Sequence, residues 1–464
     1  MLSADKQLLL SGFLGRLPEH VAARLAKAVE VDRLIGGTNL PHEEILRALR
    51  PQLRQLPARV RMPTPQRFFC RPFEDILVGP QRTMKQKGRI ARSSIEPVWG
   101  WLANDLMPDR YREITEALRE SILYDRENEM EERTQELWSE SAAALKAALV
   151  GEKKKAFAAK KLGGVAAAED AAEMALLLSG AKEVSALQKR LPKPIPNLTE
   201  DEIVFLRDTF DRLSESDADL ALYIPLIVMG RLERRWEVLR LAAAISRKTT
   251  DTLISSTDLG LAGELLFSDL DEYVKKVQSV RPTVFDEVAL LASLAGFTEL
   301  STGMVKELGI RRDGKWGQRL AKDRSALAQV VEGLLERGPK EILAALPPAK
   351  LGGFARSQRP LDLSRPPNAD HVAKAMRYAH LMVHSKPFAV AAAFSAKLNE
   401  ITAEAADTLR SHAEDMLREM RANLPETRAC AEAHWAVALD LCTLVLGEEE
   451  TDLLRRRARV PDGA

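Results

Sequence analysis

The sequence predicts an all-α protein. It reads as a multi-helix array with an irregular aromatic and basic segment near residues 63–98 and an antiparallel helical bundle at its C-terminal end. Three observations predict this. Apolar residues recur every three or four positions over long tracts, as at Ile45, Leu46, Leu49 and Leu53. Serine or threonine followed three residues later by glutamate, the signature of a helix start, occurs at Ser93–Glu96 and Thr199–Glu202. No stretch alternates polar and apolar residues for long enough to build a sheet.

At 464 residues the chain has ample length to bury a core, and its size suggests roughly two to four domains. Its 68 Lys and Arg nearly cancel its 67 Asp and Glu, so it is not a protein globally adapted to wrap a polyanion, and any such binding must be local. Cys70, Cys430 and Cys442 show no paired spacing, which points to neither a disulfide framework nor a zinc knuckle. The opening MLSADKQLLLSGFLG carries an apolar run too short to span a bilayer, with an Asp where a signal peptide has a basic region. The expectation is a cytoplasmic protein with no transmembrane segment.

Four regions follow from the punctuation. The first, 1–190, begins with short helices opened by Pro18 and Pro41, includes the aromatic and basic segment, and continues as a helical tract from Asp109 to about Leu162. Within that tract, residues 125–136 are acid-rich with almost no apolar surface, as in a solvated or bridging helix. Its far end, GEKKKAFAAKKLGG, is basic at Lys153, Lys154, Lys155, Lys160 and Lys161, with Gly163 and Gly164 as the stop. Lysines there suit the helix dipole, while Phe157 among them gives an anionic membrane surface a thin apolar foothold.

The three prolines of LPKPIPNL, 191–198, break the helical pattern and mark a boundary. The second region, 199–346, reads as packed helices with a local basic cluster at Arg311, Arg312, Lys315, Arg319 and Lys322 around Trp316. A helix-turn-helix over 288–324 would have its second helix broken by Gly309, Gly314 and Gly317, so a polar loop is expected. Thr199–Leu213 is followed by SESDADLALYIP, which lacks the glycine and final glutamate of a calcium loop. A Pro/Gly-rich linker, 347–369, leads to a three-helix bundle, 370–457, with helices from Asp370 to about Ser385, Pro387 to Leu424 and Glu426 to Leu446. In the middle one, Phe394, Leu398, Ile401, Ala405, Leu409, Ala413, Met416 and Met420 form a coiled-coil-like seam.

The candidate recognition surface lies in the 63–98 segment and just beyond it. Phe68, Phe69, Phe73, Trp99 and Trp101 cluster there in a chain with only 5% aromatics, and between them run Arg82, Lys85, Lys87, Arg89 and Arg92 with no acid. Such a loop needs solvent or an anion, and with Ser93 it leads into a helix N-terminus able to receive a phosphate or carboxylate.

Five of the seven histidines fall in the last bundle: His371, His380, His384, His412 and His434. Helix rise puts His412 about one turn out of level with His434, so no set of four metal donors forms. No nucleophile elbow, phosphate loop, HExxH or glycine fingerprint is present. The resulting expectation is a cytoplasmic helical scaffold or adaptor with no cofactor. Its partner is another protein, and the C-terminal helices offer a face for self-association. The alternative is an anion-recognition module using Arg82 to Arg92 for a nucleotide, a phospholipid headgroup or an RNA phosphate; a metal-dependent helical-bundle enzyme comes third.

Overall fold

The computed structural model describes residues 4–34, 40–55, 63–79, 85–247, 259–348, 361–421 and 427–459. It is all-α, with a single two-residue strand pair among those residues. The chain divides into two compact units, Met1–Arg234 and Arg235–Ala464.

Unit 1 starts with α1 (Ala4–Leu14), α2 (Glu19–Leu34) and α3 (His42–Gln55). They close over Leu14, Ala22, Ala26, Val29, Ile45 and Leu49, so the apolar period read at Ile45 to Leu53 is the packing face of α3. Then α4 (Pro65–Cys70) runs through a 3-10 turn, Arg71–Ile76, into β1 (Leu77–Val78), which pairs in parallel with β2 (Ile90–Ala91). This pair closes the base of an excursion between residues 79 and 89.

After it come α5 (Ile95–Trp101), α6 (Pro108–Leu123), α7 (Glu127–Leu149), α8 (Glu152–Leu162), α9 (Val165–Ser179) and α10 (Ala181–Arg190). The tract expected as one helix is thus three, broken where Asp125 and Gly151 take φ of 53° and 83°. Gly163, at φ 90°, ends α8 as expected. The acid-rich start of α7 is not solvated all round, since Thr134, Leu137 and Trp138 are buried and Arg110 of α6 pairs with Glu136.

The proline segment 191–198 is irregular, yet it does not separate two bodies. Leu191, Ile195 and Leu198 are buried. Ile195 N donates to Arg231 O at 2.8 Å and Glu233 N donates to Ile195 O at 3.0 Å, tying the segment to the end of unit 1. Between them lie α11 (Glu200–Ser216), α12 (Ala218–Ala221) and α13 (Tyr223–Arg231). At α11 the expected capping box is complete: Thr199 Oγ1 accepts from Glu202 N, and Glu202 Oε2 accepts from Thr199 N at 2.8 Å.

Unit 2 comprises α14 (Val238–Ser246), α15 (Gly260–Gln278), α16 (Glu287–Leu308), α17 (Lys315–Leu335), α18 (Gly338–Ala345), α19 (Ala369–His384), α20 (Ser395–Arg421), α21 (Arg428–Val445) and α22 (Glu448–Arg459). Among the described residues, α16 is long and apolar enough to cross a membrane. Its Leu290, Leu294, Phe297 and Met304 are nonetheless buried, and Trp236 sits so close to Gly303 that a Cβ there would lie 2.4 Å from the indole. Those contacts are what a core helix makes.

The basic cluster at 311–322 is only in part a loop between helices: Arg311 and Arg312 lie in the turn after α16, while α17 starts at Lys315 and passes through Gly317. Trp316 is buried there and donates to Glu264 Oε1 at 3.1 Å, while Arg319 pairs with Glu264 and Asp271.

The C-terminal helices do not form a separate three-helix bundle. α19 packs on α18, α20 packs on α17 and α18, and a fourth helix, α22, follows Gly447. Pro387 lies in a 3-10 turn, and the seam helix begins only at Ser395, after Ala393 at φ 64°. From Phe394 to Met416 the seam residues are buried within the chain. Of the linker, residues 349–360 lie outside the described residues; beyond them Leu361 and Leu363 are buried, so this stretch is seated rather than extended over the surface.

Candidate functional site

The aromatic residues of the candidate surface turn inward. Phe69 stacks on Phe73 and on Trp99 at centroid distances of 5.5 and 5.0 Å, and Trp99 meets Tyr111 at 4.9 Å. Trp101 is buried and Trp99 half-buried, so both anchor the core of unit 1. The Ser93 capping box does not form. Ser93 is exposed, Ser94 takes the N-cap position without a side-chain cap, and Glu96 instead accepts from Gln66 Nε2 at 2.8 Å.

The cations divide. Arg82 lies outside the described residues, while Lys87 and Arg92 are exposed. Lys85 and Arg89 point inward; Arg89 is 6% exposed and donates to Gln86 Oε1 at 3.3 Å. Lys85 Nζ lies 2.6 Å from Asp170 Oδ1 and 3.2 Å from Glu173 Oε1, and it donates to Arg89 O at 2.5 Å.

Asp170 and Glu173 share one face of α9, and they hold the backbone as well as the lysine. Gly88 N donates to both Glu173 oxygens at 3.1 and 3.2 Å, Ala91 N donates to Asp170 Oδ2 at 3.2 Å, and Ser94 Oγ donates to the same oxygen at 2.5 Å. Burial pushes the Glu173 carboxyl up to about 7, against the opposing pull of Lys85 and the Gly88 N–H. The Tyr223 phenol is held above its ordinary range, first by burial and then by the charges of Glu173 and Asp219. One lysine thus faces two carboxylates, of which Glu173 holds its proton up to about neutral pH.

A second buried pair grips the other side of the excursion. Asp75 Oδ2 accepts from Arg231 Nη1 and Gln188 Nε2, each at 2.9 Å, and Lys193 Nζ lies 2.8 Å from Asp75 Oδ1. Arg231 also donates to the carbonyls of Leu191 and Gln188 at 2.8 and 3.1 Å. The backbones meet so closely that a Cβ on Gly230 would fall 1.9 Å from Asp75 O. Fully partnered charges of this kind fix a conformation rather than wait for a ligand.

Beside these networks, a cleft of about 1020 Å³ opens between α2, α3 and α6, with Glu113, Glu116 and Glu120 along α6 and Leu46, Leu53, Ile122 and Leu123 as its apolar lining. Two of the three thiols, Cys70 and Cys442, offer little nucleophilic character. Burial pushes Cys70 up to about 12 and Cys442 up to about 11.

In unit 2 two histidines lie within electrostatic reach of each other. His412 and His434 are both buried and near enough for His434 to disfavour charge on His412, whose pKa burial already lowers and Asp415 opposes. His434 Nε2 lies 3.0 Å from Arg365 O, in the seated stretch after the linker. His380 and His384 stack at 5.4 Å. Among the described residues no three His, Cys, Asp or Glu converge as a metal site would need.

Asp75, Asp170, Glu173, Tyr223 and Arg231 were not singled out from sequence. The available signal was Asp170 and Glu173, two of three acids and three apart, inside the mostly apolar VAAAEDAAEMALLLS of α9. In comparisons with known proteins, no family model, no curated protein and no solved structure matches this chain.

Proposed function

We propose that this chain is a cytoplasmic scaffold or adaptor that works by docking a helical face into an apolar groove of a partner protein. The observation that carries the reading is α1. Leu10 and Leu14 face the core of the first three helices, while Leu8, Leu9 and Phe13 are 75%, 74% and 67% exposed on the other side. Three large apolar side chains on the face turned away from its own core are more than a solvated helix ordinarily shows, so this face is suited to a partner that covers it.

The anion-recognition reading is the weaker, because Lys85 and Arg89 are committed inward and Lys87, Arg92 and Ser93 remain as its exposed donors among the described residues. The test is an affinity capture from native lysate at low and high ionic strength, with mass by light scattering, comparing wild type with a Leu9→Asp/Phe13→Asp variant. Both side chains are exposed, so the variant is expected to fold. Association that survives salt and disappears in the variant supports the proposal; association unchanged in the variant overturns it.

A further inference from the structure

We propose that the outer face of α8 is a docking surface for an anionic phospholipid membrane, a role separate from the protein docking assigned to α1. At 100° per residue, Lys160, Lys153, Phe157, Lys161 and Lys154 follow one another across about 120° of the helix. Ala158 and Leu162 occupy the adjoining, buried side. Phe157 is 64% exposed at the middle of the lysines, and two further apolar residues are exposed just outside α8, Val150 before Gly151 at 68% and Val165 at the start of α9 at 67%.

The charges are only partly spent at home. Lys161 pairs with Asp105 at 2.9 Å, Lys155 lies 3.4 Å from Glu152, and Lys154 donates to Ala147 O at 2.9 Å. Lys153 and Lys160 are exposed and have no ion-pair partner among the described residues.

Charge complementarity names the occupant. A lysine-dominated face attracts anions, but phosphate alone leaves Val150, Phe157 and Val165 in water. A lipid surface satisfies both, with apolar side chains entering the headgroup layer and ammonium groups at phosphate level. A nucleic acid would use the lysines and leave the valines idle. An acidic protein lacks the continuous apolar layer that residues at both ends of an eleven-residue helix can share.

The test is co-sedimentation of the full chain with phosphatidylserine-rich vesicles, with pure phosphatidylcholine vesicles and an oligonucleotide as parallel probes. Wild type should bind the anionic vesicles, and binding should weaken as salt rises. Lys153→Ala/Lys160→Ala should weaken it by roughly 30-fold, and Phe157→Ala by about tenfold. Leu9→Asp/Phe13→Asp should leave it unchanged, which separates this surface from α1. Circular dichroism and thermal melting establish that each variant is folded. No binding to anionic vesicles overturns the proposal. So does binding indifferent to the lysine pair, binding lost in the α1 variant, or oligonucleotide binding equally strong with and without Phe157.

Discussion

Two cationic runs of unit 1, 85–92 and 153–161, look alike in sequence and meet different fates in the fold. In the first, Lys85 and Arg89 are drawn inside, and acids of α9 hold Lys85 and the backbone around it. In the second, Lys153 and Lys160 stay in water around an exposed Phe157. The difference lies in distant residues. A cation is buried where the fold delivers a carboxylate to the same place, because an unpaired charge in the interior costs several kcal/mol. Where the acids that arrive are themselves exposed, as Asp105 and Glu152 are beside Lys161 and Lys155, the run remains a surface.

The largest expected effect breaks the first member of the pair. Asp170→Ala strands the Lys85 ammonium and removes the acceptor for Ala91 N and Ser94 Oγ, so chemical denaturation should show a loss of about 3 to 5 kcal/mol. Trp101→Ala, in the adjoining core, should cost a similar 3 to 5 kcal/mol, and Trp99→Ala less because that ring is half-buried.

A smaller effect concerns pH. The Glu173 carboxyl is raised from its ordinary range to about 7, so the folded state holds its proton more tightly than the unfolded state. Its contribution is fully present below the unfolded carboxylate pKa and is lost as pH rises to about 7. In Glu173→Gln, melts across that window should lose this downward slope. His412 in unit 2 has the opposite sign. Its lowered pKa contributes stability above the imidazole's ordinary value and loses it as pH falls below that, so His412→Gln should reduce the acid-side loss. The smallest effect belongs to the second run. Lys153→Ala and Lys160→Ala should each change stability by less than about 0.5 kcal/mol, which would confirm that these cations contribute nothing to the fold.

What was legible in the sequence was local. The Thr199–Glu202 box, the Gly163 stop and the spacing of the Phe394–Met416 seam each depend on residues within a few turns of one another, and each appears in place. The all-α class follows from the same short-range periodicity. What could not be read is what distant residues decide. Lys85 faces inward because of Asp170, and residues 191–198 belong to unit 1 because Ile195 bonds to Arg231 and Glu233. Prolines forbid a helix there but do not say what the chain packs against. The inward turn of Trp101 likewise reflects the partners that α5 meets, which its own spacing does not reveal.

The parallel pairing of Leu77–Val78 with Ile90–Ala91, reinforced by the Asp75–Arg231 and Lys85–Asp170 pairs, has an evolutionary corollary. Both feet of the excursion are bolted to the frame, and closure entropy rises only slowly with the number of residues enclosed. A change in the number of residues enclosed between Gly79 and Lys85 should therefore cost the fold little. New lengths can be selected there while Leu77–Val78 and Ile90–Ala91 stay paired.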